Sequence, residues 1–143
     1  MPELRARALR LLARREHSRA ELLKKLATHA ESEDELQILL DTLQGQRLLS
    51  DERYASQRVA ARSSRFGNQR LRQELRGVGV GDLETEQALA GSGDEAERCR
   101  GVWQKKFGVP AESPEERAKQ MRFLQNRGFS SDAIRRVLRG SEE

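Results

Sequence analysis

Apolar residues in this chain recur in short stripes at helical spacing, most of them opened by a small polar residue and several followed by glycine. Leu4, Ala8, Leu11 and Leu12 lie three and four apart among Arg5, Arg7, Arg10, Arg14 and Arg15, which predicts an amphipathic helix over 3–16. Ser18-Arg19-Ala20-Glu21 is a capping box ahead of Leu22, Leu23 and Leu26. Ser32-Glu33-Asp34-Glu35 repeats that arrangement before Leu36, Leu39, Leu40 and Leu43, with Gly45 as the expected stop. The pattern restarts at Ser50 with Tyr54, Ala55 and Val59. It restarts again at Gly67 with Leu71 and Leu75, and Gly77, Gly79 and Gly81 are expected to break that helix before another over 82–90. Beyond the Gly91-Ser92-Gly93 hinge, Ala96, Cys99, Trp103 and Phe107 form one stripe, closed by Gly108-Val109-Pro110. Ala118, Met121 and Leu124 form the next, entered through Ser113-Pro114-Glu115-Glu116. Ser130 opens a last helix through Ile134, Val137 and Leu138, and residues 140–143 are expected to fray.

These helices repeat. Ser18, Leu22 and Leu26 align without a gap with Gly67, Leu71 and Leu75 and with Ser130, Ile134 and Leu138, and the residue before each cap is His17, Phe66 or Phe129. The expected architecture is all-α, an elongated array of three tandem three-helix repeats over 1–47, 48–92 and 93–143. The last unit is out of phase in this alignment, because its additional helix (94–107) precedes the matched pair instead of following it.

Composition narrows the chemistry. Hydrophobic residues make up 36% of the chain and aromatics 4%, which suits several thin cores better than one thick one. One cysteine excludes an intrachain disulfide, two separated histidines make no zinc pattern, and no apolar run approaches a membrane span, so a cytoplasmic protein without metal or cofactor is expected. Charge is uneven: residues 5–25 hold eight basic and two acidic side chains, and 53–76 and 117–139 hold seven and one each. Arginine without lysine in 53–76 suits forked contacts to carboxylate or phosphate. Catalysis is not expected, because the sequence has no nucleophile–base set and no phosphate loop, and its glycines at 77, 79 and 81 follow a helix, not a strand. Tyr54, Cys99 and His17 read as packing residues.

The run Asp51-Glu52-Arg53-Tyr54-Ala55, an arginine-rich helix, then Gly67, Leu71, Leu75 and Gly77, with Arg127-Gly128-Phe129-Ser130 near the C-terminus, resembles the RecX family of bacterial regulators of the RecA recombinase. The resemblance runs from Arg7 to Leu138. It implies tandem three-helix repeats, binding in the groove of the RecA–DNA filament, and inhibition of its ATPase, strand-exchange and coprotease activities. The expected contact residues are Arg62, Arg65, Arg70, Arg72 and Arg76, supported by Lys24, Lys25, Lys105, Lys106, Arg135 and Arg136, in a monomer. The residues alone leave two other readings open: a sequence-independent DNA- or RNA-binding protein, and a helical adaptor for an acidic protein. Any single arginine is also compatible with a merely solvated helix face.

Overall fold

The computed structural model describes residues 2–140; of the expected fraying over 140–143, Gly140 is instead helical and 141–143 lie outside the described residues. The described chain is nine α-helices and one 3-10 turn: α1 (Pro2–Arg14), α2 (Arg19–Leu26), the turn Ala27–His29, α3 (Glu33–Gly45), α4 (Asp51–Arg62), α5 (Asn68–Gly77), α6 (Asp82–Ala90), α7 (Glu95–Lys106), α8 (Pro114–Asn126) and α9 (Ser131–Gly140).

The starts follow the caps. Ser18, Ser32, Ser50 and Ser113 each accept from the amide three residues on, at 3.1 Å, and the Ser18–Glu21 box is complete. Pro114 occupies the first turn of α8, where its missing N–H costs nothing. The ends of α3 and α5 fall at the expected glycines. Gly45 and Gly77 are the last helical residues of α3 and α5, and the left-handed position comes two residues later, at Arg47 (φ 62°) and Gly79 (φ 79°). Gly128 (φ 87°) takes the same place after α8. In all three turns an amide just beyond returns to a leucine carbonyl: Leu48 to Leu43, Val80 to Leu75 and Phe129 to Leu124.

Three separate cores result. Leu4, Ala8, Leu22, Leu26, Leu36, Leu40, Leu43 and Leu49 fill the first, and Tyr54, Ala55, Val59, Leu71, Leu75, Val80, Ala88 and Leu89 the second. The third is built on Cys99, Val102, Trp103, Leu124, Phe129, Ala133, Ile134, Val137 and Leu138. Each fully buried leucine contributes about 1.5–3 kcal/mol, so every unit holds its own helices together. Trp103 Nε1 donates to Gln120 Oε1 (2.9 Å), and Gln120 Nε2 donates to the Val109 carbonyl (3.1 Å), which satisfies the polar groups of the third core. Burial pushes the Cys99 thiol up to about 12, which makes it a core residue and a poor nucleophile.

The alignment of α9 with α2 and α5 does not hold in space. α7 packs on α9 as α4 packs on α6, so α8 and α9 are the second and third helices of their unit. The equivalent turns are Val78-Gly79 and Arg127-Gly128, and each receives the N-terminus of the second helix of the preceding unit.

Candidate partner-binding surface

Charged side chains meet at both junctions between units. At the first, the Arg19 amide donates to Asp51 Oδ1 (2.7 Å), Ser18 Oγ donates to the Val78 carbonyl (2.6 Å), and Arg53 makes a two-pronged pair with Glu16. At the second, Gly67 N donates to the Arg127 carbonyl (2.8 Å) and Gln69 N to the Gly128 carbonyl (3.1 Å). Glu95 there accepts from Asn68 N (2.8 Å), Ser130 N (3.3 Å) and Ser130 Oγ (2.7 Å). Arg98 reaches back from α7 to the Ser63 and Phe66 carbonyls at 2.9 and 3.0 Å and to the Asn68 side chain, and burial lowers its pKa.

The five middle-unit arginines do not share one face. Residues two apart on a helix point about 200° apart, so Arg70 and Arg72 of α5 diverge. Arg62 makes a bidentate pair with Glu74 (2.7 and 2.8 Å), to which Arg70 Nε (3.2 Å) and Arg58 (3.4 Å) also donate. Burial pushes the Glu74 carboxyl up, but the bonded Arg62 with Arg58 and Arg70 beside it holds it below the usual carboxylate range. Arg65, exposed, lies with Arg62 and Arg70 around the Phe66 ring. On the other side Arg72 forks onto Glu86 (2.8 and 2.9 Å), a pair that raises the arginine and lowers the carboxylate, and Arg76 stands 3.5 Å from Asp82.

Arg76 shares a groove of about 450 Å³ with Lys24 and Lys25 across the first junction. The three basic residues are separated by some fifty residues of chain, and the fold brings them together. Lys25 Nζ lies 3.0 Å from His17 Nε2. An ammonium only donates, so the buried imidazole is neutral and gives its Nδ1 proton to the Arg15 carbonyl (3.0 Å). Lys105 and Lys106 are exposed at the end of α7, Lys106 over the Phe123 ring at 5.3 Å. Arg135 and Arg136 are exposed on α9, within 3.9 and 3.2 Å of Asp132.

Two sets of residues escaped sequence reasoning. Arg127 lies on Phe66 from the next unit; the sequence had marked it as part of the RecX-like run Arg127 to Ser130 but not as a contact residue. Arg7, Arg10 and Arg14 form an exposed stripe on α1 without an ion pair to any described residue; their spacing was visible in the sequence, but not their lack of partners.

One cluster has the ingredients of an active site. Arg15, Glu21, Tyr54 and Arg58 line a groove of about 310 Å³. The two carboxylates lining it are committed to the fold: Glu21 accepts from Arg15 (2.9 and 3.2 Å) and from the Ser18 amide (3.1 Å), and Glu16 accepts from Arg53. Burial, with Glu21 nearby, raises the Tyr54 pKa, which keeps the phenol protonated. No group of residues suited to a metal occurs among the described residues, and no described helix is long and apolar enough to cross a membrane.

Known proteins share this arrangement. Family descriptions of the first, second and third three-helix domains of RecX match residues 5–43, 50–89 and 93–138. Regulatory protein RecX of Herminiimonas arsenicoxydans is 48% identical over 141 residues, covering 98% of this chain and 93% of that one, and that of Ralstonia nicotianae is 47% identical over 140 residues, covering 97% and 88%. Among solved structures, RecX from Lactobacillus salivarius superposes with a TM-score of 0.85 at 22% identity, covering 99% of this chain and 96% of the other. A second crystal structure of regulatory protein RecX gives 0.81 at 26% identity, covering 95% and 71%. With three domain matches in order and near-complete coverage by curated relatives, the chain belongs to the RecX family of regulatory proteins.

Proposed function

We propose that this protein binds the RecA filament on DNA, spans more than one recombinase subunit and lowers the filament's ATPase, strand-exchange and coprotease activities, without chemistry of its own. It acts in the cytoplasm as a monomer, in DNA repair and in restraining the SOS response. The observation that carries this reading is the ordered set of three RecX domains, with basic side chains collected at the junctions between them. The contact surface comprises Lys24, Lys25 and Arg76 at the first junction and Arg62, Arg65 and Arg70 at the second. Arg72, Lys105, Lys106, Arg135 and Arg136 flank it.

The mechanism is differential binding. A protein lying in the filament groove excludes what must enter it and favours a filament state that hydrolyses ATP poorly or disassembles; only unequal affinity for two states produces such a shift. The test is RecA's ATPase on single-stranded DNA, titrated with this protein. Inhibition well below one copy per recombinase subunit is expected, weakened in K24E/R76E. An ATPase untouched until the protein saturates the DNA would overturn filament regulation.

A further inference from the structure

Phe66 is the point on which the cations of the second junction converge. Arg62, Arg70, Arg127 and Arg65 lie over its ring, their guanidinium carbons 4.5, 4.7, 5.4 and 5.5 Å from the centroid. Three come from unit 2 and Arg127 from unit 3, so the cluster exists only while the units are docked. Glu74 is the carboxylate that answers it, bonded to Arg62 and Arg70. Arg65 and Arg127 have no carboxylate partner among the described residues. Arg127 also lies 5.1 Å from the Phe123 ring on which Lys106 rests, which extends the positive surface onto α7.

Packing alone does not call for four guanidiniums on one phenyl ring. Crowded within on the order of one Debye length, about 8–10 Å, they repel one another, and each ring contact returns only about 0.5–1 kcal/mol at an exposed site. A stacked guanidinium keeps its in-plane N–H donors turned outward from the ring. The ligand that relieves the repulsion and uses those donors carries several anionic oxygens at short, regular spacing. A nucleic-acid backbone has one phosphate every few ångströms, whereas carboxylates on a folded protein surface are seldom so closely set. The faces of Phe66 are taken up by arginines, so bases have no platform there and the contact is to the backbone.

We propose that the seam between units 2 and 3, with Arg62, Arg65, Arg70 and Arg127 arranged round Phe66, is a site for the phosphodiester backbone of a nucleic-acid strand, independent of base sequence. This goes beyond filament regulation, because the site needs no recombinase to be occupied.

The experiment uses the full chain and a fluorescent oligothymidylate, with anisotropy titrations over a series of salt concentrations and no RecA present. A labelled duplex forms a second arm that tells whether one strand or two is preferred. R65A/R127A should bind about tenfold or more weakly and flatten the log K against log salt slope by about 1.4, two single-strand phosphates at about 0.7 each. R10A, an exposed position on α1 in the first unit, should bind like the unchanged protein. R65A alone removes an exposed side chain whose recorded contact is the Phe66 ring, so it keeps the fold and should give about half the slope change even if the double variant is unstable. Equal binding by R65A, R65A/R127A and R10A would overturn the proposal. So would failure of the unchanged protein to bind at low salt, or competition by polyglutamate as effective as by unlabelled oligothymidylate, which would mark the seam as a carboxylate reader.

Discussion

The first and second junctions have the same layout but different materials. In both, the N-terminus of a second helix meets a left-handed glycine turn of the next unit, and a carboxylate at the start of the following unit accepts the first helical amide: Asp51 for Arg19, Glu95 for Asn68. At the first junction the cap residue is Ser18, whose hydroxyl bridges to the Val78 carbonyl. At the second it is Gly67, and with no side chain in the way its own amide reaches the Arg127 carbonyl. One side chain therefore separates a joint bridged by a hydroxyl and an ion pair from one in which main-chain hydrogen bonds stand beside the contacts of Glu95 and Arg98. The ion pair between Arg53 and Glu16 makes the first joint the more sensitive to salt, because main-chain hydrogen bonds carry part of the second.

The largest expected effect tests the main-chain joint. A Cβ at Gly67 would collide with the backbone of Gly128 and Phe129, which has no flexible end to swing aside. Gly67→Ala should destabilise by about 3 kcal/mol or more, at the upper end of overpacking costs, and free unit 3 from unit 2, seen in chemical denaturation as a lower midpoint or a second transition. Next comes Glu95→Ala, which strips the acceptor from three donors and should cost about 2–3 kcal/mol. Glu16→Gln at the first junction should cost less than about 1 kcal/mol, since Arg53 is 39% exposed, and that loss should vanish at high salt. Equal costs for Glu95→Ala and Glu16→Gln would erase the contrast.

The smallest effect concerns pH. Burial, with Arg15 and Lys25 adding like charge, lowers the His17 pKa below its ordinary 6.5 despite the hydrogen bond to the Arg15 carbonyl and the nearby Glu21. A group whose folded pKa is lowered binds protons more readily when unfolded, so its contribution is present above the unfolded pKa and lost as pH falls from about 6.5 toward the folded value. Thermal melts should therefore drop between neutral and mildly acidic pH, and His17→Phe should flatten that slope. Glu21, Glu74 and Glu86 are also held low, so a further loss should follow as pH falls below about 4.5 whether or not His17 is present.

Local chemistry was legible along the chain. The capping serines, the leucine stripes, the proline-led entry to α8 and the division into three all-α units follow from spacing, because a cap and the amide it binds lie three residues apart. The RecX resemblance was equally legible, being carried by short runs such as Asp51 to Ala55. The stop of α3 at Gly45 was legible too, whereas the left-handed position, set by the turn onto Leu43, falls on Arg47, where no glycine marks it.

What lies between helices had to wait for the tertiary structure. The phase of the third unit depended on α7 packing against α9, a pairing no alignment of caps reveals. The fate of each arginine depended on partners far along the chain: Arg72 is claimed by Glu86 and Arg62 by Glu74, while Lys24 and Lys25 meet Arg76, and Arg65 meets Arg127, only after folding. Helix periodicity is a property of neighbours in sequence and can be read from residues alone. Charge pairing acts through space over a few ångströms, so which charges remain for a partner was decided by how the units dock.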